Sequence, residues 1–179
     1  SSQVRLAGGV PVYVPLRRVE GETASQVFQF DVDELKAAVS PQTKLILINS
    51  PQNPTGKMFT QSEMESLANV ARENDLLVIS DEVYEHIVFE ERHLSMANVL
   101  PERTLTMSSA GKTFSATGWK VGWGIGPPEL VQAITCIQQW VNFSTPTPNQ
   151  HAIAISLKAA ETNDYYAHLA AEYKRRRAI

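Results

Sequence analysis

The sequence predicts an α/β protein, built on a mainly parallel, doubly wound sheet flanked by helices. Three observations carry that reading. Short apolar runs, Leu45-Ile46-Leu47-Ile48 and Leu76-Leu77-Val78-Ile79, read as buried strands. Segments of helical periodicity separate and follow them, and strands alternating with helices argue for a parallel sheet. Finally, each apolar run leads directly into a polar segment, as expected where strands end at a ligand-binding edge.

The first element, residues 10–16, reads as extended, so the chain starts inside a strand-rich segment. Residues 30–39 read as a short helix capped by Asp31, with Glu34 completing a capping pattern. Residues 44–48 form the first buried strand. Thr60-Gln61-Ser62-Glu63 is a capping box that opens a helix to about Asn74. Met64, Leu67, Ala68 and Ala71 fall on one face of it. Strands come next at 76–80, 104–107 and 121–125. Pro128 opens a helix containing Leu130, Val131, Ile134, Ile137 and Val141. Further helices are expected at 148–160 and from Asp164 onward. Nothing repeats and no linker of low complexity intervenes, so residues 1–179 read as a single domain.

Bulk properties narrow the function. At 43% hydrophobic and 20% charged residues the composition is ordinary for a globular protein. A net charge of −3 gives no reason to expect nucleic acid or a membrane as partner. Cys136 is the only cysteine, which rules out an intrachain disulfide; its apolar helical surroundings suggest a buried thiol. His86, His93, His151 and His168 are scattered without metal-ligand spacing, and no metal is expected. No apolar run approaches the ~20 residues that span a bilayer. Trp119, Trp123 and Trp140 read as core or pocket-lining residues, core being favoured for each. Lys174 to Arg177 read as a solvated helix end.

The chemistry gathers at the strand ends. Asn53 comes after the first buried strand, Asp81 ends the second, and Ser109 and Lys112 come after the third. In open α/β sheets these positions converge on one edge. A lysine there can form a Schiff base with a carbonyl compound. Its ordinary pKa near 10.4 leaves it protonated at neutral pH, so such a role calls for burial or a neighbouring cation such as Lys120. Gly111-Lys112-Thr113 also looks like the tail of a phosphate-binding P-loop, but that motif needs a glycine where Thr106 stands. An acid at the end of an apolar strand is costly without a partner; Asp81 either caps the next helix or meets a cation.

Three segments in register, Asn49-Ser50-Pro51-Gln52-Asn53-Pro54-Thr55-Gly56, Asp81-Glu82-Val83-Tyr84 and Ser109-Ala110-Gly111-Lys112 through Gly118-Trp119-Lys120, resemble the fold type I aminotransferases that use pyridoxal 5'-phosphate. The wording of residues 111–123 is most similar to the subgroup of kynurenine aminotransferase, glutamine transaminase K and methionine aminotransferase. The resemblance implies that Lys112 forms the Schiff base and shuttles the proton. It implies that Asp81 pairs with the pyridine nitrogen, and that Asn53 and Tyr84 hydrogen-bond the phenolic oxygen. Ser109 and Lys120 would hold the phosphate, and Asn53 would also meet the substrate carboxylate. Ser108 and Thr113 receive no role, and Glu82 is read as a structural neighbour.

It further implies a large, cofactor-binding domain, with an N-terminal segment and a C-terminal small domain absent from residues 1–179. The substrate-carboxylate arginine and the ring that stacks on the cofactor would lie in those parts. The expected activity moves an amino group from an aromatic, sulfur-containing or glutamine-like L-amino acid to a 2-oxo acid. A cytoplasmic homodimer is the expectation, an organellar transit peptide remaining compatible with it. The alternatives on the same fold are a C–S β-lyase and a cofactor-binding domain of a transcriptional regulator.

Overall fold

The computed structural model describes residues 1–90 and 92–179, with the side chains of all but Ala24 and Ser25. In chain order the elements are α1 (Ser2–Leu6), β1 (Arg17–Arg18), α2 (Ala24–Val27), β2 (Phe28–Gln29), α3 (Val32–Ala38), β3 (Leu45–Asn49), α4 (Gln61–Glu73) and β4 (Leu77–Asp81). Then come β5 (Thr104–Ser109), α5 (Ala110–Thr113), β6 (Gly122–Ile125), α6 (Pro128–Val141), α7 (Thr147–Ala160) and α8 (Tyr165–Arg177). Short 3₁₀ turns lie at Met96–Asn98 and Thr117–Trp119.

The main sheet has the order β3-β4-β5-β6. Strands β3, β4 and β5 are parallel, and register places Asn49 opposite Asp81 and Asp81 opposite Met107. The apolar runs end level with one another, so their polar successors share one edge. Strand β6 instead runs antiparallel to β5. A parallel return usually runs through a full helix that carries the chain back across the sheet. Between β5 and β6 the chain has only the four-residue α5 and a 3₁₀ turn, which stay at the carboxyl edge. The sheet is therefore mixed.

Helix α4 shows how the sequence makes its core. The Thr60 hydroxyl accepts from the Glu63 amide, and Glu63 Oε2 accepts from the Thr60 amide at 2.8 Å, which satisfies two groups that a helix start leaves open. Met64, Leu67, Ala68, Val70 and Ala71 are buried against Ile48 and Val78 of the sheet, with Leu35, Leu76, Met96 and Leu100. Burial of a side chain the size of Met64 or Leu67 contributes about 1.5–3 kcal/mol. At α3 the Asp31 carboxylate accepts from the Asp33 and Glu34 amides. Glu34 does not turn back in the expected way, because its carboxylate is taken by Arg17, whose Nε lies at 2.9 Å.

Other expectations are corrected. The chain opens with a helix, not a strand. Ala7 ends α1, Gly8 adopts φ +77°, and the Gly8 and Gly9 amides donate to the Arg5 and Val4 carbonyls at 2.9 Å. That is a Schellman stop, for which glycine suits the positive φ. Residues 9–16 carry no regular structure. Cys136 is exposed rather than buried. It sits on α6, where none of the apolar residues is buried and Trp140, expected in the core, is 83% exposed. Trp119 is exposed too, whereas Trp123 packs on a small cluster of Ala110, Val121 and Ile153. The sheet also presents Leu45, Leu47 and Ile125 to solvent, at 39%, 55% and 63% exposure. The apolar patterns of α6 and of these strands are genuine, but among the described residues too little of the chain packs against them to bury them. No helix among the described residues is long and apolar enough to cross a membrane.

Candidate functional site

Three segments meet at the carboxyl edge of the parallel strands. Asn49, the last residue of β3, joins the first two. Its Nδ2 donates to the Asp81 carbonyl at 2.9 Å, and its Oδ1 accepts from the Asn53 amide at 2.8 Å. The Ser50 amide donates to the same Asp81 carbonyl at 3.0 Å. The turn after β3 then closes on itself. Gly56, at φ +75°, donates to the Gln52 carbonyl at 2.7 Å, and the Gln52 amide donates to the Lys57 carbonyl at 2.8 Å. A side chain at Gly56 would strain that conformation.

This scaffold aims Asn53 across the edge, where its Nδ2 donates to the Tyr84 hydroxyl at 3.0 Å. The Tyr84 ring lies 5.7 Å from the Lys112 ammonium. Asn53, Tyr84 and Lys112, which are distant in sequence, are thus brought together. Asp81 lies at the same edge, partly buried, with one carboxylate oxygen accepting from the Val83 amide at 3.3 Å. Both roles open to an acid at this position are compatible here. It caps the turn at Val83, and its other oxygen remains available to a cation.

Ser109 ends β5 and its hydroxyl accepts from the Gly111 amide at 3.3 Å, so it caps α5. Lys112 lies in the single turn of α5 and is exposed. Lys120 is exposed in a left-handed conformation, φ 57°, just before β6. No hydrogen bond or ion pair joins Lys120 to Ser109, or Lys112 to Asp81, among the described residues.

Beneath the edge lies a polar cluster that sequence patterns do not disclose. The fully buried Glu82 carboxylate accepts from Ser80 Oγ at 2.8 Å, Ser95 Oγ at 3.0 Å and the Met96 amide at 3.1 Å, while His93 Nε2 stands 2.7 Å away. The Glu82 amide donates to the Met107 carbonyl at 2.8 Å. Ser108, also buried, donates to Glu85 at 2.6 Å and ties the end of β5 to the residue after Tyr84. Asn49 and Glu85 could have been suspected only from their neighbours: a polar residue closing an apolar strand, and an acid next to a tyrosine. Half-buried His86 has its pKa held below the ordinary 6.5, chiefly by burial; Glu85 pulls it up, and His93 pushes it down. No cluster of three metal-ligating side chains occurs among the described residues.

In chemical terms the edge combines an amine, a carboxylate, a hydrogen-bonded phenol and amide, a serine hydroxyl and a second ammonium. These groups fit a flat, anionic aldehyde whose ring carries a basic nitrogen, a phenolic oxygen and a phosphate.

Residues 1–179 match the family described as aminotransferase class I and II. The chain is 42% identical to a kynurenine–oxoglutarate transaminase of Dictyostelium discoideum over 97% of its length and 43% of that protein's. It is 38% identical to an aspartate/prephenate aminotransferase of Thermus thermophilus, over 98% of this chain and 44% of the relative. Among solved structures, N-succinyldiaminopimelate aminotransferase from Mycobacterium tuberculosis superposes with a TM-score of 0.89 at 39% identity, over 98% of this chain and 44% of that one. The chain therefore spans about two-fifths of the length of the curated relatives it matches.

Proposed function

From its membership of the class I and II aminotransferases, we propose that this chain carries the lysine-bearing half of a pyridoxal-phosphate site, and that the whole protein is a transaminase. The observation that carries this is the convergence of Asn53, Tyr84 and Lys112 beside Asp81 at one sheet edge. When bound, the cofactor supplies an aldehyde carbon open to an amine and a protonated ring that withdraws electrons.

The residues divide the remaining work. Lys112 would supply the amine and would take up and return a proton at Nζ. Asp81 would hold the ring nitrogen, its carboxylate favouring the protonated form. Tyr84 and Asn53, already hydrogen-bonded to each other, present donors to the phenolic oxygen. Asn53 also meets the substrate carboxylate. Ser109 donates from its hydroxyl to the phosphate, and Lys120 approaches it as a point charge. The Ser109 hydroxyl can do so while still accepting from Gly111, since a hydroxyl both donates and accepts.

The amino donor is an aromatic, sulfur-containing or glutamine-like L-amino acid, and the acceptor a 2-oxo acid. Kynurenine and 2-oxoglutarate are the first pair to assay, because they appear in the names of relatives up to 44% identical. Those relatives are transaminases, which favours transfer over a lyase or a regulator. The protein in this reading is a cytoplasmic homodimer, and residues 1–179 are one domain of it.

The test is borohydride reduction of the whole protein with pyridoxal phosphate, then peptide mass spectrometry. A reduced adduct at Lys112, absent in Lys112→Ala, is the expected result. Adducts scattered over several lysines, or none, would overturn the assignment. Activity on aspartate alone would sink the narrower donor class.

A further inference from the structure

Helix α8 is fastened to two of the three segments that carry the candidate site, and its contact nearest Lys112 comes from Tyr165. Helix α5 is only four residues long, so its last carbonyls have no further turn to accept from. The peptide group between Thr113 and Phe114 is held at both ends. Its amide donates to the Ala110 carbonyl at 2.9 Å, and its carbonyl accepts from the Tyr165 hydroxyl at 2.8 Å. The Phe114 and Tyr165 rings stack at 5.2 Å and 26°. Tyr166 stacks on His86 at 3.9 Å and 20°, two residues beyond Tyr84. Farther along, Arg177 pairs with Glu90 and lies 4.6 Å above the Phe89 ring.

We infer that Tyr165 is a positioning residue for Lys112, an inference that rests on reading Lys112 as the cofactor-binding lysine. Lys112 is exposed and meets the Tyr84 ring at 5.7 Å, so its direction depends chiefly on the backbone of α5. That backbone is a single turn with Gly111 inside it, a residue that costs helix stability through chain entropy. The Tyr165 hydroxyl closes the carbonyl next after Lys112 and thereby holds the turn against unwinding. Because Tyr166 binds the Tyr84 segment from the same helix, α8 also fixes the lysine segment relative to the phenol that faces it.

Hydrogen exchange by mass spectrometry on the whole protein tests this with Tyr165→Phe and Tyr166→Phe. Losing one hydrogen bond of ordinary strength predicts exchange in residues 110–116 faster by roughly twofold to tenfold in Tyr165→Phe. Exchange in α4 stays unchanged, and Tyr166→Phe leaves 110–116 as it was. With cofactor and substrates, kcat of Tyr165→Phe falls by a similar factor at nearly constant KM. Unchanged exchange in Tyr165→Phe, or an equal rise in Tyr166→Phe, overturns the inference. Faster exchange combined with a Lys112 that borohydride does not mark also overturns it, through failure of the cofactor reading and not of the Tyr165 contact.

Discussion

The Lys57 ammonium is wholly buried and donates to both carboxylate oxygens of Glu63, at 2.8 and 3.0 Å. The same carboxylate closes the capping box of α4 on the Thr60 amide, and the Lys57 carbonyl holds the Gln52 amide in the turn that presents Asn53. One ion pair thus anchors both the core helix and the first site segment. Removing one partner of a buried pair is costly to the extent that the charge left behind stays buried and uncompensated. We expect Glu63→Gln to destabilise by about 3 kcal/mol, because it takes away the charge that offsets a buried ammonium. Lys57→Met should cost closer to about 1 kcal/mol, since Glu63 is partly exposed and keeps its Thr60 contacts. Denaturant unfolding of the two variants decides it, and a larger loss in Lys57→Met would contradict this account.

Glu82 is the second anchor. Its carboxylate organises Ser80, Ser95, the Met96 amide and His93 directly below Asp81. Glu82→Ala strips several buried donors of their acceptor at once, each at about 1–3 kcal/mol, so a total loss of about 3–5 kcal/mol is expected. Glu82→Gln retains an oxygen for the serines and the amide and should cost nearer to about 1 kcal/mol. Equal stability of wild type and Glu82→Ala would show that the cluster contributes nothing.

Much of this architecture is legible in the chain. The runs that became β3 and β4 are apolar, short and free of glycine, and Thr60 to Glu63 spells a cap that forms as written. Their polar successors could be placed at one edge because parallel strands fix that geometry. Strand direction was harder. The alternation of strands and helices argued for a mainly parallel sheet, as β3 to β5 are, and left the direction of β6 open. The misreadings of Cys136 and Trp140 share one cause. Periodicity reports which face of a helix is apolar, and burial depends on what packs there. In the site, Asn53, Asp81 and Lys112 stood out by type and position, and Tyr84 through the resemblance. Tyr165 did not, because its contact with Thr113 spans 52 residues and depends on the path of α8.

Asp81 offers a test of the electrostatic part of the proposal. Its carboxylate accepts one amide bond at the edge and has capacity for a charged partner. Asp81→Asn keeps the shape and removes the charge. A hydrogen bond to a charged group contributes about 1.5–3 kcal/mol, which corresponds to a loss in transfer rate on the order of 10- to 150-fold. Steady-state kinetics with kynurenine and 2-oxoglutarate measure it. A rate within about twofold of wild type would remove Asp81 from the cofactor's ring nitrogen.

His86 gives the fold a predictable pH response. The imidazole is half-buried, stacked on Tyr166 at 3.9 Å, and 3.9 Å from Glu85. Burial holds its pKa below the ordinary 6.5, Glu85 opposes that, and His93 adds to it. In the unfolded chain His86 returns to about 6.5, so between the two values the unfolded state binds more protons than the folded one. Stability therefore rises with pH across that window. His86 imposes no penalty above about pH 6.5, and the penalty grows as pH falls through the unfolded pKa toward the folded one. His86→Gln removes the titration, so its unfolding free energy should decline less than that of wild type between about pH 7 and pH 5. Chemical denaturation at both pH values gives the comparison, and an equal or steeper decline in His86→Gln would place the acid sensitivity of this region elsewhere.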